Sequence, residues 1–105
     1  MAKKYGSRSA PVKIIVLDIL KPHNPSIVEF GKFVCRQASV LSVNNSVYAV
    51  DNKTESVKMT IEGNNINFDA VKKIIMDNGG AIHSIDRVVL GKEKIIGLGE
   101  GITPK

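Results

Sequence analysis

Six side chains in this 105-residue chain could share a cation: Asp18, His23, Asp51, Glu55, His83 and Asp86. Carboxylates suit hard ions such as Ca²⁺ or Mg²⁺, whereas adding both imidazoles would favour a transition metal. Oxygen donors outnumber nitrogen donors here and Cys35 lies apart, so the set points to Ca ahead of Zn as a divalent cofactor. The same residues have structural uses. Asp51 and Glu55 suit a solvated hairpin, and the histidines could bond nearby backbone. Asp18 interrupts an apolar segment, where a carboxylate is costly unless paired or ligating; His83 and Lys21 are its expected partners.

Catalytic patterns are weaker. No serine or cysteine nucleophile stands beside a base in a recognisable motif. Gly97-Leu98-Gly99-Glu100-Gly101 superficially matches a dinucleotide loop, but no helix is expected after it to receive a phosphate.

The elements that would position the six residues follow from periodicity. Val12 to Leu20 is apolar at nearly every position, which predicts a central strand buried on both faces. Pro22 and Pro25 force a corner, since neither suits a strand ladder or a helix interior. Ser26 and Glu29 form a capping-box pair, and Ile27, Phe30, Val34 and Ala38 then recur at helical spacing, predicting a helix over about 26–38. Cys35 falls inside it and is expected as a half-buried, inert thiol.

Leu41 to Asp51 alternates, with Val43, Val47 and Ala49 on one face and Ser42, Asn44, Ser46 and Tyr48 on the other. Asp51 to Thr54 reads as a turn, and Val57, Met59 and Ile61 as the inner face of the returning strand. Asn67 caps a second helix with Val71, Ile74 and Ile75 on its buried stripe, ended by Gly79-Gly80. Ala81 to Leu90 is the last strand.

The order strand, helix, strand, strand, helix, strand predicts an α+β, ferredoxin-like βαββαβ domain over 12–94. Its four-stranded antiparallel sheet has the order 4-1-3-2, with both helices on one face. This topology brings the end of the first strand, the hairpin turn and the start of the last strand together, gathering Asp18, His23, Asp51, Glu55 and His83, with Asp86 further along. An apolar first strand also predicts that the open face is covered, most economically by a second copy.

Composition sets the remaining limits. A 43% hydrophobic, 24% charged chain is ordinary for one globular domain, and a lone cysteine fits a reducing cytoplasm. Asp18 breaks the best candidate for a membrane span, so no membrane insertion is expected. Lys3, Lys4 and Arg8, in a basic arm over 1–11 that has no acid, supply most of the net charge of +5. That arm could attract nucleic acid weakly. Base-stacking aromatics are missing from the expected central strands, so sequence-specific RNA reading is not expected. A glycine-containing tail occupies 95–105.

Leu17-Asp18-Ile19-Leu20-Lys21-Pro22-His23-Asn24-Pro25-Ser26-Ile27, Asn45 to Asp51, Thr54 to Gly63, and Gly80 to Asp86 occur as blocks in an order that resembles an archaeal family of small proteins, the domain-of-unknown-function family two-eleven. The resemblance covers about 12–94. It implies the ferredoxin-like fold, an archaeal cytoplasm and ring-shaped homo-oligomers, but no established activity. The leading expectation is a non-catalytic oligomeric binding or regulatory module for a divalent ion or small ligand; the alternatives are a small enzyme and a nucleic-acid binder.

Overall fold

The computed structural model describes residues 10–92. Most of the basic arm and the glycine-containing tail therefore lie outside the described residues. The element order is β1 (Val12–Pro22), α1 (Ile27–Cys35), β2 (Ser42–Val50), β3 (Thr54–Glu62), α2 (Phe68–Asp77) and β4 (Ala81–Leu90). The strands form one antiparallel sheet of order β2-β3-β1-β4, the expected order read from its other edge.

Alternation along β1 decides which residues make the core. Ile15, Leu17 and Ile19 point to the helices and meet Val57, Met59 and Ile61 of β3. Phe30 and Val34 of α1 and Val71 and Ile75 of α2 close this layer from above. All of these except Ile15 are fully buried.

Helix ends follow local chemistry. Ser26 caps α1 by accepting from the Glu29 backbone N–H at 3.2 Å, and Asn67 caps α2 by accepting from Ala70 N–H at 3.1 Å. Gly79 takes φ 88° after α2, and Gly79 and Gly80 donate to the carbonyls of Met76 and Ile75 at 3.0 and 2.9 Å. A left-handed glycine thus satisfies two carbonyls that the helix leaves open. α1 is shorter than the expected 26–38. Beyond Cys35 the backbone tightens, with Gln37 N–H donating to Val34 and Val40 N–H donating to Gln37, which turns the chain toward β2. Cys35 is exposed rather than half-buried, because it is the last helical residue and lies off the Phe30–Val34 stripe.

β1 also runs further than expected, to Lys21 and Pro22, which pair with Glu55 and Thr54 of β3. Proline is tolerated there because β4 begins at Ala81, opposite Leu20, so Lys21 and Pro22 have no β4 neighbour that requires an N–H. The second departure is in β2. A register shift between Val47 and Ala49 leaves Tyr48 unpaired and sets Ala49 opposite Ser56, away from the face that carries Val47. One added residue reverses the strand's alternation.

On the open face, Ile14, Val16, Asp18 and Leu20 alternate along β1. Ser46, Lys58, Asp18 and Ser84 make a polar row across all four strands. The face is therefore mixed rather than uniformly apolar. The exposed apolar residues of the edge strands lie mostly on the other side: Val47 and Val50 of β2 stand opposite Val57 and Glu55, and Ile85 and Val88 of β4 opposite Leu17 and Ile15.

Candidate functional site

The fold divides the six sequence candidates between the two sides of the sheet. At the end of β1, alternation sends Lys21 inward with Leu17 and Ile19, where its side chain is fully buried. Its ammonium donates to Glu55 Oε1 at 3.0 Å and to the Pro22 carbonyl at 2.7 Å, and stands 5.8 Å from the centre of the Phe30 ring. A buried ammonium without a carboxylate would be strongly destabilising, so Glu55 is fixed in role by Lys21.

His23 completes this cluster from the corner after β1. Its Nδ1 lies 3.0 Å from Glu55 Oε2, and its Nε2 lies 3.0 Å from the carbonyls of both Asp51 and Asn52. Every partner is an acceptor. The geometry therefore suits the imidazolium, which donates from both nitrogens. Glu55 and the two turn carbonyls accordingly raise the pKa of His23, and His23 followed by Lys21 lowers that of Glu55. Asp51 accepts from the Thr54 hydroxyl at 3.0 Å and the Thr54 N–H at 3.2 Å, and these bonds lower its pKa. The cluster ties the corner at Pro22–His23 to the β2–β3 turn.

The signs of these shifts define a pH window. A raised His23 pKa contributes stability in full below its ordinary value of about 6.5, lost as pH rises through the folded value. A lowered Glu55 pKa contributes in full above about 4.5, lost as pH falls through its folded value. The contribution of the cluster is thus complete between about pH 4.5 and about pH 6.5. Thermal unfolding across pH should show His23→Gln removing the decline on the alkaline side and weakening the acid side, where the share of the Glu55 shift that is due to Lys21 remains. An alkaline decline unchanged in His23→Gln would show that the imidazole is not its source.

Asp18 belongs to the other side of the sheet. Its expected partner Lys21 is three residues along the same strand and so points to the opposite face. Instead, Tyr48 donates its hydroxyl proton to Asp18, with Oδ1 at 2.7 Å and Oδ2 at 2.8 Å. This bond is the main reason the Tyr48 hydroxyl titrates above its ordinary range. Lys58, directly opposite Asp18 in the register, reaches Asp18 Oδ2 at 3.9 Å and makes a tight ion pair with Asp86. Asp86 also accepts from the Ser84 hydroxyl at 2.7 Å, and Lys58 and then Ser84 depress its pKa. His83 stays near Asp18, lining the same open pocket with Tyr48, Ser56 and Leu20.

So Glu55, His23 and the Asp51 backbone come together on one side, while Asp18, Asp86 and His83 share the other. Among the described residues no three His, Cys, Asp or Glu side chains are grouped to hold a metal ion. In each place a lysine ammonium already sits against a carboxylate, Lys21 against Glu55 and Lys58 against Asp86. Tyr48 and Lys58 are the members that sequence reasoning missed, and Lys21 was expected beside Asp18 rather than Glu55. For Lys21 a signal existed, because it shares parity with Leu17 and Ile19.

The βαββαβ order, single sheet and one-sided helix layer define a small ferredoxin-like α+β domain. The chain belongs to the family described as uncharacterized ArCR, domain-of-unknown-function family two-eleven, whose model matches residues 13–100. It is 50% identical over 84 residues to an uncharacterized protein of Methanocaldococcus jannaschii, a match that covers 80% of this chain and 87% of that relative. The family match continues past Ile95, where the resemblance read from sequence blocks had stopped. Among the described residues, no helix is long and apolar enough to cross a membrane.

Proposed function

We propose that this protein is a self-assembling, non-catalytic module of a reducing cytoplasm, joined to further copies of itself through the edges of its sheet. The observation that carries this reading is the composition of β2. It is an edge strand of nine residues, Ser42–Val50, with no charged side chain and no proline. Natural sheets normally blunt such an edge with lysine, proline, a short strand or a bulge, because its free N–H and C=O groups invite pairing, and of these β2 has only the bulge at Tyr48. Val50 is 66% exposed here, and at the opposite edge of the sheet Leu90 of β4 is 53% exposed.

The two edges differ in sequence, so β2 of one copy against β4 of the next is a head-to-tail contact. Such contacts form closed rings when the rotation between copies closes. The His23–Glu55–Lys21 cluster supports a structural rather than a catalytic role, because both imidazole nitrogens and both Glu55 oxygens already bond protein groups.

Light scattering should give a particle mass that is a multiple of the 11.4 kDa chain, held on dilution. Val50→Lys, which places a charge on the exposed edge without touching the core, should shift the mass to that of one chain. A wild-type particle that is monomeric at every concentration would end this reading.

A further inference from the structure

We propose that the open face of the sheet holds a binding site for a small alkylammonium ion, with Asp18 as its anchor. This goes beyond the assembly reading and does not rest on it. The site is an open pocket of about 240 Å³ lined by Asp18, Ile19, Leu20, Tyr48, Ser56 and His83. That volume is below the roughly 300–1,000 Å³ of pockets that enclose drug-sized ligands, so it suits a head group of a few heavy atoms.

Charge selects the sign of the ligand. Asp18 and Asp86 face one ammonium, that of Lys58, and Lys58 is committed to Asp86 by their close contact. At 3.9 Å its distance to Asp18 is too long for a hydrogen bond. Among the described residues, Asp18 accepts a single proton, that of Tyr48, shared between its two oxygens. An ionised carboxylate has about four lone-pair sites. Asp18 is only 18% exposed, so most of its acceptor capacity lies in a partly desolvated place beside the pocket.

The lining also selects among cations. A hard metal ion needs roughly six or more oxygen ligands, and the pocket has one carboxylate. An ammonium has three donors and no acceptor. Asp18, the Ser56 hydroxyl and the His83 ring all line the pocket and can accept from it. Leu20, 43% exposed at the same pocket, offers an apolar wall for a short aliphatic stem. Anions meet Asp18 and are repelled.

The test uses the full chain, titrated with n-butylammonium chloride and, at equal ionic strength, with sodium butyrate and sodium chloride. Backbone amide shifts of Asp18, Ser56 and His83 are followed by NMR. Saturable shifts at these residues are expected with the amine alone. Since His83 is on the exposed pocket wall, His83→Lys adds a positive charge with little risk to the fold and should weaken binding about tenfold, whereas His83→Glu should strengthen it. Asp18→Asn should weaken binding at least about tenfold, the loss of one charge-assisted hydrogen bond. Shifts that do not saturate, shifts that the chloride control reproduces, or equal affinity in the His83→Lys and His83→Glu variants would overturn the proposal. The two His83 variants decide the matter even if Asp18→Asn fails to fold.

Discussion

Replacing Glu55 by alanine is expected to lower the melting midpoint by about 12 °C or more. The reason is the partner it leaves behind. Lys21 is fully buried, and its ammonium would keep only the Pro22 carbonyl at 2.7 Å and the face of Phe30. Breaking a buried pair by removing one member costs about 3–5 kcal/mol, because the remaining charge is uncompensated. Glu55 is itself 19% exposed, so the lower end of about 3 kcal/mol applies. At about 4 °C per kcal/mol for a domain near 100 residues, that gives the stated shift.

Lys21→Met is the informative control. It removes the buried charge while keeping an unbranched apolar stem beside Phe30, and Glu55 keeps its bond to His23. Replacing a buried ion by a hydrophobic residue of similar volume is often close to neutral. Circular dichroism melts near pH 6 should therefore rank Glu55→Ala well below Lys21→Met, and Lys21→Met/Glu55→Ala should recover much of the loss. Equal midpoints for Glu55→Ala and wild type would show that Lys21 finds water or another acceptor.

This asymmetry bears on what could be read from sequence. The strands and helices were legible because their periods change cleanly: continuous apolar residues in β1, alternation in β2 and β3, three-and-four spacing in both helices. The strand order followed from the element order. What stayed hidden was pairing between elements. Asp18 was expected to meet His83 or Lys21, yet Tyr48 and Lys58 engage it, because the β1–β3 register sets Lys58 opposite and a bulge in β2 frees Tyr48 to reach across. A bulge is one unpaired residue, and no local propensity announces it.

Glu55 shows the opposite case. It was read either as a cation ligand or as a solvated hairpin residue, and its position beside the hairpin turn is right. Its side chain nevertheless turns to the helix side, since it pairs with Lys21, and Lys21 has the parity of the core. Charge argued for exposure and alternation argued for burial. Alternation prevailed because Glu55 and His23 are both within reach of the strand end.

The cluster and the core meet at Phe30, and its truncation is expected to have the largest effect on the fold. Phe30 is fully buried and belongs to the same cluster as Leu17, Met59 and Ile75. Its ring also packs so closely on the chain after α2 that a β-carbon on Gly80 would lie 2.8 Å from Cζ. Phe30→Ala should therefore cost about 3–5 kcal/mol, the usual range for an aromatic cavity. The midpoint should fall by about 12–20 °C. Part of that loss belongs to Lys21, whose ammonium would lose the aromatic face beside it. A double-mutant cycle separates the two. If the ring supports the ammonium, Phe30→Leu should cost less in the Lys21→Met background than in wild type, by about 0.5 kcal/mol or more. Identical costs in both backgrounds would show that Phe30 acts through packing alone, with Glu55 and the Pro22 carbonyl as the groups that hold the buried charge.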